Sequence, residues 1–194
     1  MKILIRKISI VLVIFAMSLL VSAYSVKTYN MTNLKENLCT PIVGDENYSS
    51  PHYLNLDKLP KDYGYELAIK NGDVVGRWGK VYNLEKLEKF IVAYESKTLN
   101  VDDMIRITTY SIEGEPLIKD LIFTEAGLKL IVDPRRNTFV NPEDIKIDEY
   151  NVTSILIEIK NRYRTYKVKI DSNKEINLIW IDKSLNSNKA PLMK

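Results

Sequence analysis

The chain has 194 residues, with 28 Lys and Arg against 25 Asp and Glu, 45% apolar residues, one cysteine and one histidine. A single cysteine excludes an internal disulfide framework, and one histidine with one distant cysteine excludes the common His/Cys zinc arrangements. Lys2, Arg6 and Lys7 account for the formal charge of +3; the remainder is neutral and lacks the net field that draws nucleic acid.

The first element is the leader. After its basic flank, residues 8–23 run apolar, and Val21 and Ala23 stand three and one before Tyr24. This layout predicts a signal peptide over residues 1–23, cut after Ala23. The alternative is a retained N-terminal membrane anchor, since the run approaches the roughly 17–25 apolar residues that a spanning helix needs. Tyr24 occupies the place where a bacterial lipoprotein needs cysteine. The expected location is therefore secreted or extracytoplasmic and membrane-anchored, with membrane contact only if the leader is kept.

Residues 24–61 are rich in Asn, Ser, Thr and Tyr, are broken by Pro41, Pro51 and Pro60, and hold Cys39 and His52. They read as a tether or loosely ordered arm. The remaining length suits one domain of about 100–200 residues, placed at residues 62–184, with a disordered tail over 185–194. A short helix is expected over residues 65–71, closed by Gly72 in the left-handed conformation. Gly72, Gly76 and Gly79 around Arg77 and Trp78 match neither a P-loop nor a dinucleotide fingerprint and read as turns. Asn83 then offers an N-cap, and Leu84, Leu87, Phe90, Ile91 and Tyr94 form one apolar helical stripe.

From Met104 the period changes to two. Ile105 and Ile107 alternate with Arg106 and Thr108, and a turn at Gly114 sets Arg106 opposite Asp120 and Ile105 opposite Leu121. Lys119 beside Ile107 is the weak point of that register. Gly127 turns into Leu128, Leu130 and Val132. After a loop over residues 133–148, a turn at Asn161 and Arg162 sets Ile157 against Tyr166 and Ile155 against Val168. A turn over residues 172–174 then places Ile176, Leu178 and Trp180 opposite Ile170, Val168 and Tyr166. The pattern predicts an α+β domain, an antiparallel sheet of five to six strands with one main amphipathic helix packed on one face.

The blocks Tyr82-Asn83-Leu84-Glu85-Lys86-Leu87-Glu88-Lys89-Phe90 and Ile105-Arg106-Ile107-Thr108-Thr109-Tyr110-Ser111-Ile112-Glu113-Gly114-Glu115-Pro116, preceded by residues 68–75, resemble an uncharacterised domain-of-unknown-function family. Its members are small exported proteins and lipoproteins of Gram-positive bacilli and clostridia. Asp133, Arg136 and Phe139 also fit the family's loop after the third strand. The resemblance covers about residues 66–139 and implies no activity. The cysteines of such members, at a lipobox and in the last third, are missing here, so lipid anchoring and any disulfide are not carried over.

Arg106, Asp120, Asp133 and Arg136 lie within the matched blocks and could ring a carboxylate or phosphate, a group that arginine grips with two parallel bonds. A cross-strand ion pair and a loop-pinning arginine explain the same residues. Trp78, an aromatic between glycines, could anchor a partner or a sugar. Glu113 and Glu115 flank an open hairpin tip, where burial cannot separate two carboxylates into acid and base. No nucleophile and base stand at workable spacing. The expectation is an exported or envelope-associated domain that is not an enzyme, takes no metal or cofactor, and binds a protein, peptide or envelope component. The alternative is a secreted hydrolase using Asp or Glu residues on the sheet.

Overall fold

The computed structural model describes residues 48–186 except 140, 142 and 144; the leader, Cys39 and the chain beyond 186 lie outside the described residues. Eight strands form one sheet: β1 (Val74–Arg77), β2 (Lys80–Tyr82), β3 (Met104–Tyr110), β4 (Pro116–Thr124), β5 (Gly127–Asp133), β6 (Asp148–Lys160), β7 (Tyr163–Ile170) and β8 (Glu175–Asp182). Their order is β2-β1-β3-β4-β5-β6-β7-β8. Among the described residues three short α-helices accompany them: α1 (Tyr65–Lys70), α2 (Leu84–Glu95) and α3 (Lys183–Asn186). Among the described residues no helix is long and apolar enough to cross a membrane.

This corrects the expected architecture. The sheet has eight strands rather than five or six, and it is mixed, because β1 runs parallel to β3 while the other pairings are antiparallel. It curls into a half-barrel instead of lying as a plain layer under one main helix. The discrepancy starts in the glycine stretch. Gly76 sits inside β1 because a Cβ there would fall 2.9 Å from the Ile179 side chain, and Gly79 belongs to the turn between β1 and β2. Parallel pairing needs a crossover, and the segment through β2 and α2 supplies it.

The expected hairpin registers hold over β3–β4 and β6–β7: Arg106 pairs with Asp120, Ile105 with Leu121, Ile157 with Tyr166 and Ile155 with Val168. The β7–β8 register does not. Val168 lies opposite Ile176, a bulge follows, and Tyr166 lies opposite Ile179. Leu178 and Ile179, consecutive in sequence, are both buried, and Trp180 is thrown to the outside at 46% exposure.

Alternation divides the sheet's side chains between two cores. On the inner face, Val74, Ile105, Ile107, Leu121 and Leu130 meet Leu87, Phe90 and Ile91 of α2 and Tyr166, Val168 and Leu178 of the curled-over strands. Each such burial contributes about 1.5–3 kcal/mol. On the outer face, Val75, Tyr110 and Ile118 meet Leu59, Tyr63 and Ala68. Asn83 makes no side-chain cap to α2; its amide donates to the Ile69 and Asp73 carbonyls at 3.1 and 2.8 Å and ties α2 to α1 and β1.

The curl is closed by contacts from β8. The Asp182 amide donates to the Gly79 carbonyl at 2.9 Å. The Trp180 ring lies against Gly79, where an added Cβ would come within 2.5 Å of Cζ3. Lys119, pointing inward from β4, donates its Nζ to the Leu178 carbonyl at 3.0 Å. Burial pushes that lysine down to about 8.

Candidate functional site

Four of the five predicted site residues gather on the outer face, beneath residues 53–64. Arg106 donates from Nε and Nη2 to the two oxygens of Asp120, both at 2.7 Å, and both residues are buried. Its Nη1 donates to the Leu54 carbonyl at 2.9 Å, and the Tyr53 ring lies over the guanidinium at 5.1 Å. Burial lifts the Asp120 carboxyl above its ordinary range against the pull of Arg106, and the two parallel bonds mark an ionised pair.

Asp133 ends β5 at 1% exposure. It accepts from Arg135 Nε, Nη2 and backbone N at 2.9, 3.0 and 3.0 Å, and from Arg136 Nη1 at 3.0 Å. Burial acts to raise its pKa, but the Arg135 bonds outweigh it and hold the carboxyl below the usual range. Arg136 also reaches three carbonyls of the arm: Nε to Pro60 at 3.0 Å, and Nη2 to Leu56 and Leu59 at 2.5 and 3.0 Å. Arg135 Nη1 pairs with Asp57 at 2.6 Å. These residues form a clamp that fastens the chain before α1 to the sheet.

Beside the clamp lies a cleft of about 540 Å³, lined by Lys61, Tyr63, Pro116, Arg136 and Thr138 among others. Its polar groups largely answer one another: Glu115 accepts from the Thr138 amide and hydroxyl, each at 3.0 Å, and the two arginines are engaged by Asp133 and the arm. Deeper, Asp73 is fully buried. Its Oδ2 accepts from Thr108 at 2.6 Å and Tyr63 at 3.1 Å, while Oδ1 has no hydrogen-bond partner among the described residues. Burial pushes this carboxyl up to about 6. Among the described residues no group of three or more His, Cys, Asp or Glu side chains could hold a metal ion.

Trp78 stands apart from the clamp. It and Gly79 form the two-residue turn between β1 and β2, with φ of 52° and 79° respectively. Positive φ at both central positions matches the right-handed twist of a hairpin, and for a tryptophan it is a strained conformation. Trp78 is 53% exposed. Trp180 abuts Gly79 from β8, and Tyr163 of β7 meets Trp180 edge-on at 5.8 Å. Three basic residues border the rings: Arg77 over Tyr65 and Trp78, Arg162 over Tyr163, and Lys80 over Tyr82. The two tryptophans of the chain thus flank one glycine on the surface.

Sequence reasoning singled out Trp78 and missed its company. Trp180 was expected to face inward with Leu178, and the adjacent apolar pair Leu178-Ile179 was the available sign that β8 changes phase. Tyr163 and Arg77 carried no signal of their own. The geometry puts ring faces and cations on the outside of the seam and leaves Arg106, Asp120, Asp133 and Arg136 to hold the arm.

Residues 71–167 match the family model described as Domain of unknown function (DUF4362), and the chain belongs to that family. The matched segment contains Arg77, Trp78 and the clamp residues of β3 to β5, but stops before Trp180. No curated protein and no solved structure matches the chain.

Proposed function

We propose that this chain is an exported or envelope-associated domain that performs no catalysis and binds an envelope component at the corner formed by Trp78, Trp180 and Tyr163. The observation that carries the reading is the exposure of both tryptophans around Gly79. Tryptophan, tyrosine and arginine are the residues most enriched where binding energy concentrates, and a turn that needs positive φ is served by Asn, Asp or Gly without the strain that a tryptophan brings. The basic flank and apolar run of residues 1–23 support export. The engagement of Glu115, Arg135 and Arg136 at the cleft supports a binding rather than a catalytic role.

The test is co-sedimentation of the purified protein with an insoluble envelope preparation. The double variant Trp78→Ala, Trp180→Ala should lose at least about tenfold in bound fraction, the equivalent of roughly 1.4 kcal/mol, with an unchanged circular dichroism spectrum. A double variant that sediments as well as its parent would remove this corner from the reading.

A further inference from the structure

Arg77, at the end of β1, is half-buried. Its guanidinium carbon lies 4.3 Å from the Tyr65 ring centroid and 4.2 Å from that of Trp78. Ring faces attract the cation through their quadrupole, yet they offer nothing comparable to a lone pair for its five N–H donors. Among the described residues no carboxylate, carbonyl or hydroxyl accepts from this side chain. Of the neighbouring cations, Arg162 pairs with Asp182 at 3.1 Å, and Lys80, over the Tyr82 ring at 5.0 Å, is a point charge without a fork. Arg77 is therefore a positioned fork whose orientation is set by two rings and whose donors face outward unanswered.

We infer that Arg77 is the anion-reading residue of the aromatic corner and takes the carboxylate of an acidic sugar whose pyranose ring lies against the exposed indole. The inference rests on the corner being the binding surface proposed above, and it names what that surface recognises. A planar guanidinium matches a planar carboxylate through two parallel bonds. One unpaired guanidinium fork matches one carboxylate. Asp182 occupies Arg162, so the corner offers a phosphate dianion no second unpaired guanidinium. Flat rings on a rigid hairpin turn suit the flat C–H face of a sugar.

The experiment is a side-chain NMR titration of the 15N-labelled protein with three probes that share a pyranose: glucuronate, glucose 6-phosphate and glucose. Glucuronate should shift the Arg77 Nε–H and Trp78 indole N–H signals saturably, with at least tenfold tighter binding than glucose. Arg77→Lys should abolish that preference while the protein keeps its fold and its residual response to glucose, because a lysine presents a point charge without the fork. Equal responses to glucuronate and glucose, or an unchanged preference in Arg77→Lys, would overturn the inference. Tighter binding of glucose 6-phosphate would overturn the carboxylate assignment. If all three sugars leave both signals still while sedimentation remains tryptophan-dependent, the acid-sugar inference falls and the binding corner stands. If tryptophan dependence is also lost, the corner itself fails.

Discussion

Asp73 is a carboxylate placed where water cannot reach it, with two hydroxyls on one oxygen and none on the other. Its folded pKa of about 6 lies above the ordinary value of 3.8, so the folded chain takes up a proton more readily than the unfolded one. Stability therefore climbs as pH falls through about 6 toward 4, and the cost of the buried charge is fully present above pH 6. A shift of about two units corresponds to as much as roughly 3 kcal/mol. Denaturant unfolding at pH 7.5 and pH 5 should show the protein more stable at the lower pH. Asp73→Asn should be more stable than the parent at pH 7.5 and should flatten that difference; a parent that weakens between these two pH values would contradict the sign. None of this was readable beforehand, because Asp73 follows Gly72 in a stretch that looks like a turn, and its burial depends on Tyr63 being folded over it.

Among the elements, the clamp shows how a stretch with no periodicity of its own acquires structure. Residues 53–61 contain only a single 3-10 turn, Leu56–Lys58, and are fixed by donors from the sheet: Arg106 to Leu54, and Arg136 to Leu56, Leu59 and Pro60. Arg136→Ala should cost about 2–4 kcal/mol, since it strips those carbonyls of a charged donor and removes a partner from buried Asp133. It should also open Lys58 and Lys61 to trypsin well below the global unfolding midpoint. Arg136→Lys should restore little, because an ammonium cannot span a carboxylate and three carbonyls at once. Trypsin cutting Arg136→Ala no faster than the parent would show that the arm is held by other means. The Arg106–Asp120 pairing was legible in the hairpin alternation, as was the stripe of α2. The arm's destination was not, because its partners come from residues 50 to 80 positions away and backbone carbonyls leave no mark in a sequence.

For the whole molecule the decisive feature is the curl that brings β8 back to the first hairpin. Gly79 serves it twice, by its φ of 79° and by leaving room for the Trp180 ring. Gly114 separates the two effects, since it has φ of 93° but open space where a side chain would go. Gly114→Ala should cost about 1 kcal/mol from backbone strain alone. Gly79→Ala should cost about 2–4 kcal/mol and also change tryptophan fluorescence, because the new methyl displaces Trp180. Equal costs and an unchanged emission spectrum would mean that the ring does not press on the seam. Period-two patterning gave β3 to β7 but could not reveal curvature, which arises from twist, the bulge after Tyr166 and the small residues Gly76 and Gly79. A three-residue strand such as β2 is too short to show a period at all.

The bond from the Asp182 amide to the Gly79 carbonyl joins the beginning of the sheet to its end. A ribosome delivers those two partners far apart in time, so the first hairpin can pair with β3 early but gains the contact that closes the curl only once β8 has been made. Loop-closure entropy across that separation slows the final step.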